Sequence, residues 1–290
     1  MSQLLDFAVV GIATGTTYAI VGLGICLVYQ VTGVINFAQG DFVMVGGLTF
    51  AVAEESGLAA LPAAALAVVA TTVVGGLVQL GVIAPARRAT HDRLVILTIG
   101  ASITLQGAAL LAFGADQHFA RPFGGEDHVA LFGARISSQY LWCAAVTGLV
   151  MVGMWLVLRH TGLGRAMRAT ALDVETVRLM GVSPQRMSLL AFVLAAALAA
   201  IGGIVLSPLQ PPDATIGVAL GLKGFTAAVL GGLGSPAGAV VGGLAVGLVE
   251  AGVTGYVSSG YRDPIVFGIL VLVLLVRPTG LLRRGAVVRV

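Results

Sequence analysis

Apolar stretches separated by short polar breaks recur along the whole chain, at 7–29, 36–53, 60–83, 94–114, 139–158, 187–207, 221–233, 236–256 and 263–277. A helical crossing of a bilayer needs about 20 predominantly apolar residues, so most of these stretches are spans and a few fall short. The pattern predicts an all-α chain, a polytopic transmembrane helical bundle with eight or nine spans and broken or re-entrant segments. Two places leave the count open. Residues 30–40 (Gln30 to Gly40, with Gly33, Asn36 and Gln39) are polar for their setting and rich in helix-weakening types. They form either a tight turn between spans or an unwound segment lining a cavity, because irregular backbone at membrane depth needs protein or water to satisfy it. At Gly231-Gly232-Leu233-Gly234-Ser235-Pro236, Ser235 can cap a new helix and Pro236 suits its first turn. The stretch 221–256 is then a hairpin of two short spans or holds a re-entrant half-helix. With nine crossings and a cytoplasmic tail, the N-terminus lies outside.

Composition agrees with this pattern and narrows it. Hydrophobic residues make up 58% and charged residues 10% of 290 residues, with a mean hydropathy of +1.01. A soluble domain carries about 25% charged residues, so an ordinary water-facing surface is excluded. No segment is long and polar enough to be a separate soluble domain, and the chain reads as one transmembrane unit over 1–290. The start Met1-Ser2-Gln3-Leu4-Leu5-Asp6 lacks a basic region and reads as an uncleaved first span.

The net charge of +3 is uneven along the chain. Arg87, Arg88 and Arg93 fall in one short loop; Arg159, Arg165, Arg168, Arg178 and Arg186 in a second; Arg277, Arg283, Arg284 and Arg289 in the tail. The positive-inside rule assigns these to the cytoplasm. They are not interleaved with aromatics, so a nucleic-acid surface is not indicated. Loop 115–138, with Asp116, Arg121, Glu126, Asp127 and Arg135, has the mixed charge of an outer face. Cys26 and Cys143 read as small hydrophobes within spans, and His91, His118, His128 and His160 as scattered loop residues without ligand spacing. Glycine clusters such as Gly46-Gly47, Gly75-Gly76, Gly202-Gly203 and Gly242-Gly243 are read as close helix contacts.

The loop 159–186 is dense in helix signals. Asp173 is placed as an N-cap, Glu175 in the first turn, Arg178 in the last, and Gly181 as a left-handed stop. Val174, Val177 and Met180 then share one face with Leu179 beside it, and Ser183-Pro184 opens the next helix. Such an amphipathic helix either lies on lipid or inserts its apolar face into a groove on a partner.

A phosphate-binding loop needs a lysine followed by Ser or Thr. The one lysine here, Lys223, is followed by Gly224, so ATP hydrolysis by this chain is excluded. Intramembrane ionisable groups are few (Asp41, Lys223 and Glu250), and such groups are functional candidates because lipid does not solvate them. A pairing of Asp41 with Lys223 is one expectation.

Three segments carry a family resemblance: Gly22 to Phe42, the loop 162–186 with Gly164-Arg165-Ala166 and Leu179-Met180-Gly181-Val182, and Gly221-Leu222-Lys223-Gly224 through Gly238. With these, the chain resembles the branched-chain amino acid permeases of the LivH type, within the wider group of ABC importer permeases. The resemblance implies a second related permease subunit, two cytoplasmic ATPases using ATP and Mg, and a periplasmic or lipid-anchored substrate-binding protein. It implies no cofactor bound by this chain, and a multi-pass place in a bacterial inner membrane with the C-terminus cytoplasmic. It makes loop 159–186 the coupling element, with Gly164, Arg165, Ala166, Asp173, Leu179, Met180 and Gly181 as its residues. Leu172 departs from the polar or acidic residue often found there. Candidate pathway residues are Gln30, Asn36, Gln39 and Asp41, with Lys223 and Thr226 from the second irregular region. Urea, amides or other small polar cargo, or an ion-coupled secondary carrier, stand as alternatives.

Overall fold

The computed structural model describes residues 2–86, 89–125, 128–131, 134–277 and 280. Helices stand at all nine predicted stretches: α1 (Ser2–Thr32), α2 (Gln39–Glu55), α3 (Ala60–Val78), α4 (His91–Phe113) and α5 (Ser138–His160) in the first part of the chain. Two short helices, α6 (Gly162–Leu172) and α7 (Val174–Leu179), follow, and then α8 (Pro184–Leu206), α9 (Ile216–Gly231), α10 (Pro236–Tyr256) and α11 (Arg262–Val276). Among the described residues, seven helical segments are long and apolar enough to cross a membrane: α1, α3 with its continuation to Ile83, α4, α5, α8, α10, and α11 with the helical turn before it, Ser259–Val276 in all. The other two are shorter. With 17 and 16 residues, α2 and α9 span about 25 Å at a helical rise of about 1.5 Å per residue, less than a hydrocarbon core of about 30 Å.

The loop after α4 contains a hairpin that alternation did not predict. Strands β1 (His128–Leu131) and β2 (Ala134–Ser137) pair antiparallel with His128 opposite Ser137. Glu126 and Asp127 lie outside the described residues, as do Arg87, Arg88, Arg283, Arg284 and Arg289.

Helix α1 is the hub, packed against α10, α8, α9 and α5. Contacts fix the directions. Gly11 and Gly15 lie against Leu248 and Leu244, and Tyr29 against Gly234, so α10 runs antiparallel to α1. Gly22 meets Gly224 and Ala227 while Tyr18 meets Lys223, so α9 runs parallel to it. These approaches depend on missing side chains. A Cβ on Gly243 would collide with the Ala19 backbone, one on Gly203 with the Val43 carbonyl, and one on Gly242 with the Ala227 carbonyl. Lipid tails are as apolar as leucine, so association here rests on such close backbone contact.

The bundle has two distinct ends. One cavity is lined jointly by Val31, Ile83, Leu94, Arg178 and Pro184, which gathers the end of α1, the helical segment Gln79–Ile83 that continues α3, the starts of α4 and α8, and α7. Arg93, Arg159, Arg165, Arg168, Arg178 and Arg186 belong to this end, which is therefore basic. At the opposite end the chain is pinned by hydrogen bonds. The Arg121 amide donates to Glu54, the Phe119 amide to Glu55, and the His118 amide to the Pro212 carbonyl. His118, read from the sequence as a plain loop residue, pairs its Nδ1 with Glu55 at 2.7 Å. His91 and His160 are terminal helix residues and His128 starts β1, rather than standing in loops. Both cysteines are buried and free, as expected of small hydrophobes.

Candidate translocation site

The polar break at 33–38 is an unwound lead-in to α2. Gly33 closes α1 with φ +71°, a left-handed geometry that glycine adopts at no steric cost. Asn36, fully buried, turns the chain through its Oδ1, which accepts from the Ala38 amide at 3.2 Å. Helix α4 is stitched to this segment: the Thr98 hydroxyl contacts the Ile35 carbonyl at 3.3 Å and the Phe37 amide at 3.4 Å.

At the start of α2 the packing becomes tight. A Cβ on Gly40 would strike the Gly217 carbonyl and Gly221, so the first turns of α2 and α9 cross in direct backbone contact. Asp41 lies one residue on. Its carboxylate sits in the first turn of α2 and against Gly217 in the first turn of α9, and helix N-termini favour a negative charge. Gln106 Nε2 of α4 donates to Asp41 Oδ1 at 3.0 Å and to Ser102 Oγ at 3.1 Å. The other carboxylate oxygen, Oδ2, is buried with no protein partner. Beside Gln106 and Ser102 opens a cavity of about 190 Å³ with mainly apolar walls: Phe37, Ile99, Ile103, Val218 and Leu222.

Lys223 does not pair with Asp41. Its ammonium bonds Glu250 of α10 at 2.9 Å and Asp263 of α11 at 3.0 Å, and Arg262 closes the network onto Glu250 at 2.9 Å. The Tyr18 ring lies under the ammonium at 5.5 Å. The expectation failed because charge placement along the chain does not reveal which faces meet. Lys223 points back along α9 toward the start of α11, whereas Asp41 faces α4.

The remaining candidates serve separate places. Gln39 donates from Nε2 to the Ala195 carbonyl at 2.9 Å and lies against Gly24, locking α2 to α8 and α1. Thr226 turns its hydroxyl onto its own helix, donating to the Leu222 carbonyl at 2.8 Å. Gln30 lines a different cavity, at the basic end. Sequence reasoning missed Gln106 and Ser102, although their four-residue spacing in an apolar helix is a legible signal. It also missed Arg262 and Asp263, which stand at the margin of the last span.

In the loop of the basic end, Asp173 caps α7 as the residue pattern predicts, its Oδ1 accepting from the Glu175 and Thr176 amides at 2.9 and 3.2 Å. Gly181 takes φ +80° after the helix, and Ser183 caps α8. The expected apolar face is split. Val177 is buried against the bundle, whereas Leu179 and Met180 are 90% and 76% exposed. Ahead of α7 stands a further helix, α6, capped by Thr161. Gly164 lies in its first turn against the end of α5, where a Cβ would collide with the Leu158 carbonyl, while Arg165 is exposed and Ala166 half-buried.

Buried polar groups at the starts of short, interrupted helices, set within a bundle of membrane-length helices, define a class: a polytopic membrane permease. The family described as branched-chain amino acid transport system / permease component matches residues 7–276, and the chain belongs to it. It is 35% identical to the high-affinity branched-chain amino acid transport system permease protein LivH of Escherichia coli (strain K12), over 97% of this chain and 96% of that protein. The permease protein BraD of Pseudomonas aeruginosa, described in the same terms, matches at the same identity and coverage. A probable LivH of Methanocaldococcus jannaschii is 26% identical over 90% of this chain and 87% of its own length. Among solved structures, PsaBC from Streptococcus pneumoniae in complex with Fab shares the fold at a TM-score of 0.52 and 13% identity, covering 96% of this chain and 93% of that one.

Proposed function

We propose that this permease is one half of the translocation pathway of an ATP-driven importer for branched-chain or related amino acids. The observation that carries the cargo class is the similarity to LivH and BraD along nearly the whole chain. A second related permease completes the pathway. Two cytoplasmic ATPases supply ATP and Mg chemistry, none of it on this chain, and a periplasmic or lipid-anchored binding protein delivers substrate.

In this reading the basic end faces the cytoplasm by the positive-inside rule. The chain makes nine passes through the inner membrane, with the N-terminus outside and the C-terminus cytoplasmic. Helices α2 and α9 complete two of the passes together with their non-helical lead-ins at 33–38 and 207–215. The cavity beside Gln106 and Ser102 lies on the pathway. Its Ile99, Ile103, Val218 and Leu222 walls suit an aliphatic side chain, and Ser102 and Gln106 on the wall, with the Asp41 carboxylate buried behind Gln106, supply the polar pole for an ammonium.

The coupling element is the 159–186 loop. Leu179, Met180 and Arg165 present its contact surface, while Asp173, Gly181 and Gly164 hold its shape. ATP binding and hydrolysis in the partners shift this loop, and the spans alternate between inward- and outward-open forms.

The test is uptake of labelled leucine, with glutamate and urea as controls, into proteoliposomes holding the chain together with a second permease, two ATPases and a binding protein from the same source. ATP-dependent leucine uptake that outcompetes the controls supports the reading. Uptake that needs no ATPase and follows an ion gradient would replace it with a secondary carrier. A C-terminal fluorescent-protein fusion that matures confirms the orientation; an alkaline phosphatase fusion that is active reverses it.

A further inference from the structure

At the basic end, α1, α5, α6 and α10 enclose a cavity of about 360 Å³ that the transport path described above does not use. Its lining is ordered along the bundle axis. Leu23 of α1, Met151 and Trp155 of α5, and Val240 of α10 form the deep part. Gln30, Arg159 and Ser235 form the mouth, one turn or more closer to the basic end on the same three helices, with Arg168 of α6 beside them. From Met151 to Arg159 the slot runs about 12 Å along α5, at about 1.5 Å per residue. Among the described residues no lining residue is acidic and neither arginine has an ion-pair partner, so the cavity wall is positively charged.

Both guanidinium groups are held in place. Arg159 lies over the Trp155 ring at 5.0 Å, and Arg168 Nη1 donates to the Leu158 carbonyl at 2.6 Å, leaving its remaining donors free to turn into the mouth. The start of α10 lines the same cavity, where Ser235 already accepts from the Gly238 amide and the helix terminus adds a partial positive charge. Exposed arginines at a helix end ordinarily snorkel to water. Here they cap an apolar slot instead, and a ligand matching that order is anionic at one end and aliphatic at the other.

We infer that this cavity is a binding site for an anionic phospholipid of the cytoplasmic leaflet. The phosphodiester is held between Arg159 and Arg168 beside the α10 N-terminus, and an acyl chain enters the slot along Trp155, Met151 and Leu23. Basic pockets between transmembrane helices on the cytoplasmic side select anionic headgroups in this way. The site rests on the cytoplasmic orientation proposed above but not on the cargo.

The test is native mass spectrometry of the intact transporter complex, released from nanodiscs of phosphatidylglycerol and phosphatidylcholine with identical acyl chains. The site predicts preferential retention of phosphatidylglycerol, reduced on the order of thirtyfold when Arg159→Gln and Arg168→Gln remove two charges. Arg159→Lys keeps the preference. Val240→Trp, which fills the slot and leaves both arginines, abolishes retention while complex assembly is preserved. Equal retention of both lipids, or unchanged retention in the double variant, overturns the site. Displacement by millimolar inorganic phosphate as effectively as by short-chain phosphatidylglycerol assigns the pocket to a free anion and overturns the lipid. None of these readouts depends on uptake, so a wrong cargo leaves the result standing.

Discussion

Lys223 shows what a charge inside the bundle requires. Its side chain and that of Glu250 are only 5% and 6% exposed, so each relies on the other and on Asp263 and Arg262 for compensation. Removing one member of a buried pair strands its partner and costs about 3–5 kcal/mol, whereas replacing both with apolar groups is often neutral. Lys223→Met is therefore expected to lower the thermal unfolding midpoint of the detergent-solubilised protein, and Lys223→Met with Glu250→Leu to recover most of the loss. Equal destabilisation by the single and double variants would deny the pair its role. Asp41 is a different kind of charge, with one carboxylate oxygen satisfied by Gln106 and the other buried without a hydrogen-bond partner. Asp41→Asn, which keeps the size and the Gln106 contact, is expected to preserve insertion and reduce leucine uptake by at least tenfold, by loss of a charge-assisted contact on the order of 1.5–3 kcal/mol.

At the scale of elements, the loop of the basic end separates folding from contact. Met180, which ends α7, points outward and Val177, three residues earlier, inward. Met180→Asp is expected to leave expression intact and uncouple ATP hydrolysis from uptake, whereas Val177→Asp buries a lone charge and lowers the yield of folded protein. Gly164→Ala sets a methyl against the Leu158 carbonyl and separates α6 from α5, so it too acts through folding. A fluorescence-detected size-exclusion profile distinguishes the two outcomes. The caps of α7 were readable because capping is local: Asp173 meets amides two and three residues on. Which half of the apolar face would be covered was not readable, because the answer lies in α8 and the helix ends around it.

For the molecule as a whole, the end opposite the basic one is pinned by a pair that titrates. Partial burial alone would raise the Glu55 carboxyl, but the His118 hydrogen bond, the Phe119 amide and the His118 charge outweigh it and hold Glu55 below its ordinary value of 4.5. Burial likewise disfavours the His118 cation, yet the Glu55 bond, the Phe113 carbonyl and the charges of Glu55 and Asp116 raise its pKa above 6.5. A raised histidine contributes stability that is full below about pH 6.5 and is lost as pH rises through the folded value. A depressed carboxylate contributes above 4.5 and loses it as pH falls through its own folded value. The clamp is thus strongest in mildly acidic conditions. Hydrogen exchange at the Phe119 and Arg121 amides, corrected for intrinsic rates, is expected to be slower at pH 6 than at pH 8, and His118→Gln to erase the difference.

Several features of this protein follow from the sequence by itself. Residence in a membrane, the positions of nine helices, the basic loops and the capped helix of the 159–186 loop rest on local signals: apolar run length, charge density and cap residues a few positions apart. Family membership is legible for the same reason, in contiguous motifs around Asn36-Phe37-Ala38-Gln39-Gly40-Asp41 and Leu222-Lys223-Gly224. The tertiary structure alone decided who meets whom. It turned Lys223 from Asp41 to Glu250, joined Gln106 to Asp41 across 65 positions of sequence, and gathered Gln30, Arg159, Arg168 and Ser235 around one cavity. In lipid every long helix is apolar on most of its surface, so composition does not mark the faces that touch. Those faces are set by where glycines let backbones close and by which buried polar groups find partners.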